Sequence, residues 1–145
     1  MIVWENVFKL FLSAFLAALI GLDREKRNKA AGIRTNIIVA VTSCLIMLLS
    51  MEVGKDTGAD PGRIAAQIVS GIGFLGAGTI IKQEDKIEGL TTAAGLWGVS
   101  GLGMAIGYGI YDIAVAAALI IIFSLFISVG KFTNKDEKET EIENL

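Results

Sequence analysis

The sequence predicts an all-α, polytopic membrane protein, a bundle of five transmembrane helices. Hydrophobic residues make up 53% of the chain and its mean hydropathy is +0.63, more apolar material than a soluble domain of this size buries. Charged residues gather in short segments between long apolar runs, as in a chain that crosses a bilayer repeatedly. Residues 64–81 hold no ionisable side chain, and eighteen helical residues rise about 27 Å, close to a hydrocarbon core of about 30 Å.

The first apolar run spans roughly 7–22. The basic segment expected before a secretory signal is missing; Glu5 stands there instead, and the positive cluster follows the run, so the run reads as a retained span. Glu5 and Lys9 are spaced i, i+4 beside Trp4 and read as an interfacial anchor. Next comes DREKRNKAAGIR (23–34), with five basic residues in twelve. The second span is 35–51, and the polar loop 52–62 leads to the third. Asp60-Pro61 is a helix start, with Asp as N-cap and Pro at the first helical position.

The third span divides into two faces at about 100° per residue. Arg63, Gln67, Ser70, Phe74, Ala77 and Gly78 fall on one side; Ile64, Ile68, Val69, Ile72 and Leu75 fall on the other, with Gly76 among them. The expectation is that the bulky face meets lipid while the small, partly polar face, with its Gly71 to Gly78 run, meets another helix. Gly71, Gly73 and Gly76 also spell GxGxxG. A nucleotide-binding reading needs a preceding strand and an acidic residue about 20 positions on. The motif lies instead inside an apolar span, and no Asp or Glu occurs between Glu88 and Asp112. Helix packing is the preferred reading.

Residues 82–89 read as a short charged turn. The fourth span is 90–107, with Thr91 and Thr92 placed to cap it. Thr91, Ala94, Gly98, Gly101 and Ala105 draw a second smooth stripe, and Gly103 and Gly107 add a small-xxx-small pair on another face. The two glycine-lined spans are expected to pack together at the bundle centre or across a homodimer. Trp97 is expected to fill a gap between helices, and Tyr108 and Tyr111 to mark an interface. The fifth span, 113–129, is richest in bulky residues and reads as peripheral. The domain division is thus 1–130 for the membrane bundle and 131–145 for a charged, solvated tail.

Orientation follows from the basic residues. With the N-terminus outside and the C-terminus in the cytoplasm, ten of the thirteen Lys and Arg residues lie inside, leaving Lys9, Lys55 and Arg63 outside. The single cysteine, Cys44, excludes an intrachain disulfide, and the absence of histidine excludes His-dependent zinc, haem and Ser-His arrangements. No nucleophile–base pair is evident, so no enzyme is expected. A formal charge of −2 gives no sign of nucleic-acid binding.

Two polar clusters compete with ordinary topology charges. The inner one comprises Asp23, Arg24, Glu25, Lys29, Arg34 and Thr35, and both signs of charge are present; it suits locking helix ends together or contacting a headgroup or a partner protein. The outer one, Asp60, Arg63 and Gln67, enters the core at Gln67, and both structural pairing and a ligand or ion path fit the spacing. No cofactor is expected. Asp60 or Asp23 suits Mg²⁺ chemically, but so does almost any surface carboxylate, so the metal stays unassigned.

Three blocks, GLDREKRNKAAGIRTN (21–36), DPGRIAAQIVSGIGFLGAGTIIK (60–82) and GLTTAAGLWGVSGLGMAIGYGIY (89–111), in this order and spacing, resemble the MgtC/SapB family of bacterial inner-membrane proteins. The resemblance implies a small helical membrane protein associated with growth under magnesium limitation and, in pathogens, with survival inside host cells. It implies a membrane regulator, with the F-type ATP synthase a proposed target, although members are often labelled magnesium-transport proteins. The positions it carries over are Asp23 (commonly Glu in the family), Arg24, Glu25, Lys29, Gly32, Arg34, Thr35, Asp60, Arg63, Gln67, the Gly71 to Gly78 run, Thr91, Thr92 and Trp97. Longer members add a soluble cytoplasmic domain, which is not expected in a chain ending at Leu145. The functional expectation is a regulator or interaction protein in the inner membrane; the alternative is a transporter or channel for Mg²⁺ or another ion.

Overall fold

Glycine and proline set most of the element boundaries. A computed structural model describes residues 4–84 and 86–127. In chain order the elements are α1 (Trp4–Lys26), α2 (Ile33–Thr57), α3 (Gly62–Ala77), β1 (Ile81–Gln83), β2 (Lys86–Glu88), α4 (Leu90–Tyr108) and α5 (Tyr111–Phe126). The fold is all-α apart from the small hairpin. Of the five helices α1, α2 and α4 are long and apolar enough to cross a membrane. The charged tail expected at 131–145 lies outside the described residues.

α2 ends at Gly58, whose φ of 70° lets its N–H reach back to the Gly54 carbonyl. Two residues later Asp60 Oδ1 accepts the Gly62 N–H at 2.8 Å, and Pro61 already has helical dihedrals. That is the capping geometry expected of an Asp-Pro start, with the helix bound shifted by one residue. α3 is shorter than its apolar run. It stops at Ala77, and Ile80 and Ile81 leave it for an antiparallel hairpin that pairs Ile81 with Glu88, Lys82 with Ile87 and Gln83 with Lys86. The expected charged turn is therefore a hairpin. Gly89 closes it at φ 88°, and a Cβ there would strike the Thr79 carbonyl. The same glycine occupies the α4 N-cap, where no side chain bonds a free N–H. Thr91 and Thr92 are thus not caps: Thr91 is exposed, and Thr92 is buried and engaged elsewhere.

α4 is the central helix. It buries Leu96, Val99, Leu102 and Ile106 among residues of all four other helices. Its closest approach is to α2, through Gly103 and Gly107. A Cβ at Gly103 would run into the Ala40 carbonyl oxygen and sit 3.0 Å from Ser43 Cβ. One at Gly107 would sit 2.8 Å from the Cys44 carbonyl oxygen. The two backbones meet because neither glycine has a side chain to hold them apart. Close by, the Ser43 and Ser100 hydroxyls bond one another at 2.8 Å, satisfying two buried polar groups.

The expected seam between α3 and α4 differs in both faces. α3 buries Ala65, Ile68, Ile72 and Gly76, and exposes Gln67, Ser70, Gly71, Gly73, Phe74 and Gly78. Ile72 packs with Leu96 and Val99 of α4, but of the α3 glycines only Gly76 faces that helix, 3.6 Å from the Ala93 carbonyl if given a Cβ. Gly71, Gly73 and Gly101 have nothing within 4 Å of an added Cβ. Along α4, Thr91, Ala94 and Gly101 are exposed, Ala105 is half-buried, and Gly98 faces the Ile121 side chain of α5. The physical reason is dispersion packing: Ile72 meets Leu96 and Val99, and Ala65 and Ile68 pack with Met47 and Met104, contacts that glycines would not supply. Trp97 does not fill an internal gap, being 60% exposed at the side of the bundle. α5 buries only Ala114 and Ala118 and is the most peripheral helix.

Candidate functional site

Charged side chains collect at two opposite ends of the bundle. At the end where α1 turns into α2, Arg24 is 8% exposed, and its guanidinium donates to Thr92 Oγ1 on α4 and, at 3.3 Å, to the Ala30 carbonyl. One side chain of α1 thereby ties the α1–α2 turn to the start of α4. Glu25 reaches across the same turn, its carboxylate accepting the Ile33 N–H at 3.0 Å. It supplies the cap that Gly32, in extended conformation, lacks a side chain to provide. Asp23 accepts from Arg27 Nε at 2.9 Å, one helical turn on, and the Arg27 guanidinium lies 5.7 Å from the centre of the Phe126 ring of α5. The other Asp23 oxygen is buried without a partner among the described residues. Lys29, Arg34 and Thr35 are exposed.

Sequence reasoning left three members out of this cluster, and the first, Arg27, stands in the same basic run as the residues it did include. Asn36 is 2% exposed and donates through Nδ2 to the Ala31 carbonyl at 2.6 Å and the Gly32 carbonyl at 2.9 Å. A carboxamide one step inside an apolar run was the available signal. Phe126, beneath Arg27, had none, because its partner lies about 100 positions away and only the fold joins them.

At the opposite end Asp60, Arg63 and Gln67 stand together. They line a cleft of about 420 Å³ between α2 and α3, with Ser50, Val53, Ala59 and Ile64. The Ser50 hydroxyl donates to the Pro61 carbonyl and pins the α3 start to α2. On the same end Lys9, 7% exposed, pairs with Glu5 at 3.1 Å, and Tyr111 approaches that glutamate at 3.4 Å.

Among the described residues no three acidic, histidine or cysteine side chains converge. Asp23 gives one oxygen to Arg27 and Glu25 one to the Ile33 N–H, and Asp60 shares its cleft with the cation of Arg63. A Mg²⁺ ion that kept most of its waters would need one carboxylate, a demand too general to single out any of these.

A family profile described as "MgtC family" matches residues 10–132. The chain belongs to the MgtC family. Curated relatives agree. Protein MgtC of Salmonella typhimurium strain LT2 is 45% identical over 122 residues, 84% of this chain and 52% of that protein. A Haemophilus influenzae protein named only as uncharacterized is 43% identical over 128 residues, covering 83% of this chain and 54% of the relative. The Escherichia coli K12 protein named "Putative magnesium transporter YhiD" is 39% identical over 127 residues, covering 83% and 59%. The chain therefore spans little more than half the length of these MgtC-family proteins. No solved structure matches it.

Proposed function

We propose that this MgtC-family chain is a non-enzymatic membrane regulator that works by contact with another membrane protein when magnesium is scarce. What supports this reading is how the charged end is used. Arg24, Asp23 and Glu25 are committed to holding α1, α2, α4 and α5 in place, which leaves Lys29, Arg34 and Thr35 as the presented surface. The buried hydroxyls of the interior are satisfied within the bundle, Ser13 by the Leu10 carbonyl and Ser43 by Ser100. A carrier needs polar ligands strung through several helices. The resemblance names the F-type ATP synthase as a target to test. The basic residues favour the cytoplasmic membrane with the N-terminus outside, which would turn Lys29 and Arg34 to the cytoplasm. A homodimer is compatible with the exposed small residues of α3.

A second reading, a Mg²⁺ transporter, rests on the name carried by the Escherichia coli relative. One pair of measurements separates the two. Crosslinking from native membranes at low and high magnesium is expected to capture one specific membrane complex, lost in the Lys29→Glu, Arg34→Glu double variant. Liposomes holding the purified chain are expected to pass Mg²⁺ no faster than empty ones. Flux abolished by Asp60→Asn would reverse the choice.

A further inference from the structure

We infer that the cleft between α2 and α3 is a phospholipid site, which takes one acyl chain along its apolar trough and the headgroup phosphate at Arg63. Two cavities lie side by side along α3, with Ile64 and Gln67 common to both walls. The charged mouth at Asp60 and Arg63 leads into a trough of about 410 Å³ walled by Ile38, Ile46, Ile68 and Leu75, a volume in the usual range of small-ligand sites, roughly 300–1,000 Å³. The two serines at its floor bond one another, so neither hydroxyl oxygen is left without a partner.

Charge complementarity selects the headgroup. Arg63 forms no ion pair among the described residues, and Asp60 spends one carboxylate oxygen on the Gly62 N–H. Opposite charges three residues apart, flanking a cleft without bridging each other, match a zwitterionic phosphoethanolamine: phosphate to guanidinium, ammonium to carboxylate. Dimensions select the tail. From Ile64 to Leu75 the trough runs about 16 Å along α3, close to one leaflet's share of a hydrocarbon core of about 30 Å. The walls are apolar along most of that length, which suits a chain of methylenes. Gly71 lines this trough, and nothing lies within 4 Å of a Cβ placed on it, so the acyl chain passes where a side chain would otherwise stand. This inference is independent of whether the chain regulates a partner.

The test is native mass spectrometry of the full chain, delipidated in detergent and titrated with palmitoyl-oleoyl phosphatidylethanolamine. A single tightly held lipid is expected, weakened about tenfold or more by Arg63→Ala, which removes a charged hydrogen-bond donor. Diacylglycerol with the same chains should bind as weakly as phospholipid binds that variant. Gly71→Leu should abolish the adduct while helix content and monodispersity stay unchanged; Gly71→Val serves where the leucine variant loses its fold. Retention undiminished in either the Arg63 or the Gly71 variant would overturn the assignment. So would equal binding of diacylglycerol, or a helical peptide or second copy held in the groove instead.

Discussion

Arg24 shows what a single side chain can hold together. A guanidinium that is 8% exposed must keep its donors occupied, because an unmet hydrogen bond to a buried charge costs about 1.5–3 kcal/mol. Thr92 supplies one acceptor. Thr92→Val keeps the shape and removes that oxygen, so it should destabilise the bundle by about 2 kcal/mol, read as a lower melting temperature of the detergent-purified protein. Thr92→Ser should restore most of the loss. The glycines divide as sharply. Gly103→Ala presses a methyl group against the Ala40 carbonyl and should cost at least about 1–3 kcal/mol. Gly101→Ala meets open space and should be neutral or stabilising by up to about 1 kcal/mol, since alanine is the better helix former. Comparing the two melting temperatures decides it. Both glycines were visible in the sequence as small positions on the fourth span; which had a backbone opposite was not, since that depends on how α2 is rotated.

Among elements, α3 is the instructive one. Its two faces were legible from the spacing of Ile64, Ile68 and Ile72 against Arg63, Gln67 and Ser70, and the Asp60 cap was legible from the Asp-Pro pair. The direction of each face was not. Small residues favour close contact only where a partner backbone comes near, and α4 offers one at Ala93 alone, opposite Gly76. The hairpin after α3 was hidden because Ile80 and Ile81 extend the apolar run without extending the helix. At the start of α2 no cap was legible, since Gly32 has no side chain and the acceptor for the Ile33 N–H comes from Glu25, eight residues earlier. Glu25→Ala should therefore fray the first turn of α2 at a cost of about 1 kcal/mol, read as faster hydrogen exchange at the Ile33 amide with little change in the second half of that helix.

For the molecule as a whole, the number of helices, their order and the separation of charge into two ends follow from the run lengths and the loops between them. The choice of α4 as hub does not. It carries five glycines to the four of α3, and it becomes the hub because Gly103 and Gly107 open it to the α2 backbone while Gly98 faces Ile121 of α5. One further consequence comes from helix lengths. α3, at 16 residues, rises about 24 Å, while its neighbour α2, at 25 residues, rises about 37 Å. Only residues 35–51 of α2 are apolar, about 26 Å of its rise, so its last turns from Glu52 onward stand clear of a hydrocarbon layer that both helices can share.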